Sequence, residues 1–241
     1  MGSTTMHANQ HWSIFEAATP VLTWEYSFGP GECNALALGG RKGLVVVSPP
    51  CRAPANAFDE LGRYGAVRAL VAPNAFHNLG LAEWQGRFPD AQVFAPAQAV
   101  ARVARRSGLH VLPIAEAASL LGDRLEMVDM PHYKTGELLI RIASARGLVW
   151  YVTDVIMNMP ALPHNAIAAV AFRLSGSAPG LRLNNLAPLF MVRDKAALRR
   201  WLAEEFCKAP PDWLIAAHGD AVDFKAKPDA GRKLFGPLLS S

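Results

Sequence analysis

Cysteine is scarce. Cys33, Cys51 and Cys207 are the only three in 241 residues. They stand far apart with no C-x-x-C spacing, which excludes a disulfide framework and fits a reduced, cytoplasmic compartment. Long apolar runs are missing too: stretches such as Ala166 to Phe172 fall far short of a membrane span. The first ten residues are polar and lack the apolar centre of a secretory signal. Met6 stands where a myristoylation signal at Met1-Gly2 needs Ser or Thr. Charge of one sign is nowhere concentrated. The net charge is +4, and basic groups such as Arg102, Arg105 and Arg106, or Lys225 and Lys227, read as solvated helix faces rather than a nucleic-acid arm. No G-x-S-x-G elbow, G-x-x-x-x-G-K-[ST] loop or G-x-G-x-x-G turn occurs, which argues against the common serine hydrolases, P-loop enzymes and dinucleotide binders. The expected partner is therefore a small-molecule ligand, with no nucleic acid and no membrane; a homodimer is compatible with all of this.

What is present is enough apolar material for a large core: 51% of residues are hydrophobic and 18% charged. Gly and Pro (19 and 18) are scattered rather than periodic. The pattern predicts strands at Val21–Phe28, Cys33–Leu38 and Leu44–Val47 around Gly-rich turns. Alternating helices and strands follow. The helices are Ala53–Tyr64, with Ala57, Leu61 and Tyr64 on one face, then Leu81–Phe88 and Pro96–Arg106. The strands between them are Val67–Val71 and Ala91–Ala95. The second half repeats the order. A strand at Arg124–Met130 precedes a hairpin of Leu138–Ala143 and Leu148–Thr153. A blurred stretch from Val155 to Leu189 reads as loop with one or two short helices. A helix to Cys207, a strand at Trp213–Ala217 and a helix at Asp229–Leu239 complete the chain. Strands first and β-α units later, in both halves, predict an α/β (α+β) four-layer αββα sandwich. It is a single domain over residues 1–241, with a flexible start at 1–11.

Ligands in α/β proteins collect where strands end. Ser48, Asn74 and His77, His132 and Tyr133, Asp154, and His218 with Asp220 all follow apolar strands. His, Asp and His from separate strand ends are a ligand set that borderline metals such as zinc favour. Each also has an ordinary alternative as a capping or loop residue. Their shared placement is what singles them out, and His77, His132, Asp154 and His218 are expected to converge in one cleft. His7, His11, His110 and His164 lack that placement and read as surface or loop residues.

Five segments in order then resemble the metallo-β-lactamase superfamily: "GLVVVSPP", "VRALVAPNAFHNLGL", "VDMPHYKTGELLIRI", "LVWYVTDVIMN" and "WLIAAHGD". The resemblance covers roughly residues 20 to 220. It points to a branch whose H-x-H-x-D-H metal motif is altered. His77 matches the motif's last His, Phe76 replaces its Asp, and Asn74 and Ala72 replace its first two His. Tyr133 falls on the family's next His, Asp154 and His218 match their ligands, and Ser48 replaces an Asp that supports the site. The resemblance implies at most one ion, zinc or iron, held by His77, Asp154 and His218. His132 or Tyr133 would assist catalysis, and Asn74, Phe76 and Ser48 would line a pocket. Three functions follow: a single-metal hydrolase of an ester, thioester, lactone or phosphoester; a small-molecule or protein binding module that has lost the metal; or nucleic-acid processing.

Overall fold

Along the strand Leu138–Ser144 the side chains alternate between two cores. Leu138, Ile140 and Ile142 pack with Leu36, Val45 and Leu70, whereas Leu139 packs with Trp150, Leu202 and Phe235. A strand buried on both faces belongs to a sheet covered on both sides, and this alternation defines the layers. The computed structural model describes residues 10–239 apart from Pro30 and His164. His7, His164 and the expected flexible start up to residue 9 lie outside the described residues.

The first sheet has seven strands in chain order: β1 (Ser13–Glu16), β2 (Val21–Ser27), β3 (Glu32–Gly39), β4 (Leu44–Val47), β5 (Val67–Val71), β6 (Gln92–Ala95) and β7 (Leu112–Pro113). It is antiparallel up to β4 and parallel from β4 to β7. The switch comes where helical crossovers begin, because parallel neighbours need a connection long enough to return. Helices α1 (Ala55–Gly62), α2 (Leu81–Arg87) and α3 (Val100–Ser107) make those crossovers. They bury Phe58, Leu61, Trp84 and Val103 in the same core. A short helix α4 (Ala118–Leu121) leads to the second sheet.

That sheet runs β14 (Val222–Asp223), β13 (Trp213–Ala216), β10 (Gly147–Val152), β9 (Leu138–Ser144), β8 (Leu125–Asp129). Its outer face is covered by α7 (Lys195–Lys208) and α8 (Pro228–Leu239), which contribute Leu198, Leu202, Leu234, Phe235 and Leu238. The order helix, sheet, sheet, helix is the expected αββα sandwich. The stretch from Val155 to Leu189 departs from its reading as loop with short helices. It holds a two-stranded ribbon, β11 (Ile156–Met159) with β12 (Gly180–Leu183), besides α5 (Ala166–Leu174) and α6 (Ala187–Met191). Strands this short, bounded by Pro and Asn, carry too few residues for period-two alternation to show. Among the described residues no helix is long and apolar enough to cross a membrane.

One charged side chain is built into the outer face of the second sheet. Arg141 is 4% exposed, yet it pairs with Glu126 at 2.7 Å and with Glu205, and lies 5.7 Å from the Trp150 ring centre. Removing one member of a buried pair strands the other charge. Glu126 is largely solvated and Glu205 partly so, and Arg141→Ala is therefore expected to cost about 1–3 kcal/mol in denaturant unfolding. Adding Glu205→Gln should recover part of that loss; a change within about 0.5 kcal/mol of wild type would show that the pair holds nothing.

Candidate metal centre

The loop after β5 starts at Ala72-Pro73, where proline forces an extended conformation and ends the strand. Asn74 then turns the chain. Its side-chain carbonyl accepts the amides of Phe76 (2.8 Å) and His77 (3.0 Å), an Asx turn that Asn forms readily. This sets His77 over the sheet edge. Behind it, Ser48 caps β4 in a left-handed conformation, φ 53°, and presents its Oγ 3.1 Å from His77 Nδ1. Cys33 Sγ lies 3.3 Å from the same nitrogen, and Tyr26 OH lies 3.2 Å from the serine.

His218 arrives from the end of β13. Its Nδ1 is 2.8 Å from the Glu32 carbonyl. A carbonyl only accepts, so the Nδ1 carries a proton and Nε2 is the nitrogen turned to Asp154. Asn34 secures this turn by donating to the Ala216 and Gly219 carbonyls at 2.9 and 2.7 Å. Gly219 sits at φ 100°, and a Cβ there would run into the Asn158 carbonyl. Gly219→Ala should therefore push the His218 turn off its seat. The expected results are a lower melting temperature and metal affinity reduced about 10–100-fold, the usual scale for a disturbed supporting contact. Unchanged values for both would mean the turn has slack that the packing does not show.

Asp154 follows β10. Its Oδ1 faces His218 Nε2 at 3.5 Å and His77 Nε2 at 3.8 Å, and one ligand atom from each of the three lies within 4.8 Å of the others. Bonds of ~2 Å around one ion place ligand atoms ~3.3 Å apart, so a small closure suffices. The other carboxylate oxygen, Oδ2, accepts from Asn74 Nδ2 at 2.7 Å. Asn74 Nδ2 also donates to Glu137 Oε2 at 2.9 Å. Glu137 is fully buried and accepts from the amides of Thr153 (2.9 Å) and Asp154 (3.1 Å) and from the Thr153 hydroxyl. Its side chain thereby fixes the backbone that carries Asp154.

The charged groups of the site shift one another's protonation. Burial alone would raise the Asp154 carboxyl, but the His218 and His77 imidazoles facing it at 3.5 and 3.8 Å hold it well below the usual carboxylate range. Burial first, then the Asp154 charge, push Glu137 up to about 7. Burial works against a charged His218, yet its bond to Asp154 raises it above the ordinary histidine value. A carboxylate facing two imidazoles, with a second buried carboxylate behind it, draws positive charge, as protons or as a divalent ion. Both rings hold their back nitrogen against a partner and turn the front one to Asp154, the arrangement metal-ligating histidines adopt. The residues present thus fit an ion.

Of the expected site residues, His77, Asp154 and His218 come together. His132 does not. It stands exposed on a turn at φ 68°, its carbonyl bonded to the Arg193 amide. That left-handed turn sends Tyr133 inward and His132 outward, which corrects the expected four-residue convergence. Tyr133 is 2% exposed, with a hydroxyl that has no hydrogen-bond partner among the described residues. Burial, then the Glu137 and Asp154 charges, push its phenol well above the ordinary value. Asn74 and Ser48, expected in the pocket, are 1% exposed and support the ligands from behind. Phe76 does line the cavity in front. Sequence reasoning missed Glu137, Asn34 and Cys33. A lone Glu opening the buried run Leu138–Ile142 was the available signal for the first.

The cavity measures about 850 Å³ and has Asp154 and His218 in its wall. Its other walls come from β2, β11, α5 and α6, with Phe28, Met157, Phe172 and Met191 prominent. Neither α5 nor α6 buries a residue, and both expose large apolar groups such as Ile167, Leu174 and Phe190. Glu25 stands on the cavity rim, its carboxyl raised by burial and by the Glu32 and Asp220 charges.

No family sequence model and no curated protein sequence matches the chain. Solved structures do. The metallo-β-lactamase DIM-1, crystallised after exposure to ceftazidime, aligns over 94% of this chain and 96% of its own, with a TM-score of 0.56 and 9% identity. The metallo-β-lactamase FIM-1 from Pseudomonas aeruginosa, in a mono-zinc form, aligns over 95% and 96%, with 0.53 and 13%. A flavodiiron protein from Giardia intestinalis aligns over 93% of this chain and 58% of its own, with 0.59 and 9%. Two packed sheets with helices outside, a His–Asp–His group at the strand ends and these alignments over nearly the full length lead to one structural conclusion: the chain has the metallo-β-lactamase fold.

Proposed function

We propose that the protein is a hydrolase with a single metal ion, zinc or iron, held by His77, Asp154 and His218. The observation that carries this reading is the orientation of the two imidazoles. Each has its Nδ1 occupied from behind and its Nε2 turned to Asp154 Oδ1, and Asp154 and His218 stand in the wall of an open cavity. When bound, such an ion supplies a Lewis acid that polarises an acyl carbonyl and makes water more acidic. The chain's own residues orient and anchor. Asn74 and Glu137 fix both the carboxylate and the backbone of Asp154. His218 keeps its proton at Nδ1 against the Glu32 carbonyl, which leaves Nε2 as the ligand atom. Phe28, Phe76 and Phe172 keep water off the cavity walls. His132, on its exposed turn, takes no part in this reading.

The count of ligands supports one ion rather than two. Ala72, Asn74 and Phe76 stand where the resembled family places further ligands, and none offers a metal-binding donor comparable to His or Asp. The same observation favours the second reading, a binding module without metal. Turnover separates the two. Metal-loaded wild type should hydrolyse a neutral chromogenic ester such as p-nitrophenyl butyrate, and Asp154→Ala and His218→Ala should lose at least about 100-fold in kcat/KM, or about 2.7 kcal/mol. Equal rates in wild type and variants would remove the hydrolase reading. With no ligands for a second ion, β-lactam hydrolysis should stay near background.

A further inference from the structure

We propose that the cavity beside His218 takes an uncharged acyl compound with a long apolar body, and turns anionic ligands away. On the hydrolase reading above, on which the reaction rests, the compound is a carboxylic ester. Two independent features of the wall carry the inference. The first is its apolar lining: Phe28, Met157, Leu162, Phe172, Phe190 and Met191 offer a mostly apolar enclosure of the size that holds a drug-sized ligand. The second is the sign of its charge. The carboxylates of Glu25, Glu32, Asp154 and Asp220 line the cavity, and among its described lining residues there is neither Lys nor Arg. Arg102 lies 4.6 Å over the Phe76 ring but is not part of the lining. Away from His218 and the ion it would help to hold, a carboxylate or phosphate on the ligand would therefore meet the Glu25, Glu32 and Asp220 carboxylates and find no Arg or Lys, the donors that binding sites built for anions supply.

The apolar wall shares one space with Asp154 and His218, so the acyl chain lies along α5 and α6 while the carbonyl faces these two residues. In the reaction, the water oxygen bonds to the acyl carbon and the acyl C–O bond to the alcohol breaks. One water proton goes to the departing alcohol oxygen and the other is released as the acid ionises. No oxidant or second substrate is consumed.

A matched series tests this. Metal-loaded protein is given p-nitrophenyl acetate, p-nitrophenyl octanoate and the mono-p-nitrophenyl ester of suberic acid, which has the octanoate's chain length and ends in a carboxylate. Each methylene gains about fourfold at full burial, so half-burial of six predicts kcat/KM about 60-fold higher for octanoate than for acetate. The suberate half-ester should be at least about tenfold slower than octanoate, and Glu32→Gln/Asp220→Asn should narrow that gap. Binding is read separately, in the His218→Ala protein: 2-undecanone should displace Nile red at a concentration at least about tenfold below decanoate. If no ester turns over but displacement keeps this order, the ligand class stands and the hydrolase reading falls. If the suberate half-ester matches octanoate, or decanoate displaces as well as the ketone, the inference is overturned whether or not the protein is a hydrolase.

Discussion

Protein purified without chelators, loaded with excess zinc or iron and then desalted, is expected to retain about one equivalent per chain, and less than about a tenth of that in Asp154→Ala or His218→Ala. Three protein ligands suffice for a catalytic ion that keeps an open position. Asp154 is the shared member, its Oδ1 facing both imidazoles at 3.5 and 3.8 Å. Its loss leaves two rings and no anionic ligand. His218→Ala leaves one ring, and the Glu32 carbonyl loses its donor. Ser48→Ala tests the support behind His77 and should weaken binding about 10–100-fold without abolishing it. Elemental analysis by mass spectrometry reads all four proteins together. Two equivalents in wild type, both lost in an Asp154→Ala/His218→Ala protein, would mean that ligands outside His77, Asp154 and His218 build a second site.

The second large effect is expected away from the cavity, at Glu137. Glu137→Ala should destabilise the fold by roughly 3–6 kcal/mol, since it leaves the Thr153 and Asp154 amides and the Asn74 amide without their buried acceptor, at about 1–3 kcal/mol each. Against a total of roughly 5–15 kcal/mol this is a large fraction, and a chain of this size would lose about 10 °C or more in Tm. Metal affinity should fall with it, because the backbone carrying Asp154 is what Glu137 holds. Glu137→Gln keeps the shape and one carbonyl acceptor but turns an NH2 toward donors, so an intermediate loss is expected. The pH dependence has a definite sign. Glu137 titrates near 7 in the folded protein against 4.5 for an exposed glutamate, so the folded state holds its proton longer. That contribution is complete below about pH 4.5 and is lost as pH rises through about 7. Metal-free wild type should accordingly lose stability between pH 5 and 7 relative to Glu137→Gln. A bound cation on Asp154 relieves the repulsion and should flatten the slope. Parallel curves for the two metal-free proteins would show that Glu137 is ionised throughout.

The layers were legible in the sequence because their strands are long or wholly apolar. Leu44–Val47, Val67–Val71 and Leu148–Thr153 read as buried strands from composition, and the residues that follow them, Ser48, Asn74 and Asp154, come together in the structure as a consequence. His77 and His218 could be picked out on the same ground. His132 could not be told from Tyr133, because the two are adjacent and the choice rests on a single left-handed residue, φ 68°, which no local composition announces. That Asn74 and Ser48 stand behind the ligands rather than in the cavity wall was hidden for a related reason. A polar residue after a strand can face a cavity or the back of a ligand, and only the packing of β3 and β9 against that loop decides between them. Glu137 is a contact 17 residues from the aspartate whose amide it accepts; sequence order carries no trace of it. The β11–β12 ribbon was hidden by strands of four residues each, too short to establish a period.

The central claim is that one ion sits among His77, Asp154 and His218, and anomalous diffraction from zinc-loaded crystals tests it most directly. Data collected on either side of the zinc absorption edge should show one strong peak per chain, within ~2.0–2.2 Å of His77 Nε2, Asp154 Oδ1 and His218 Nε2. No peak at that point in fully loaded crystals, or a principal peak on other residues, would contradict it.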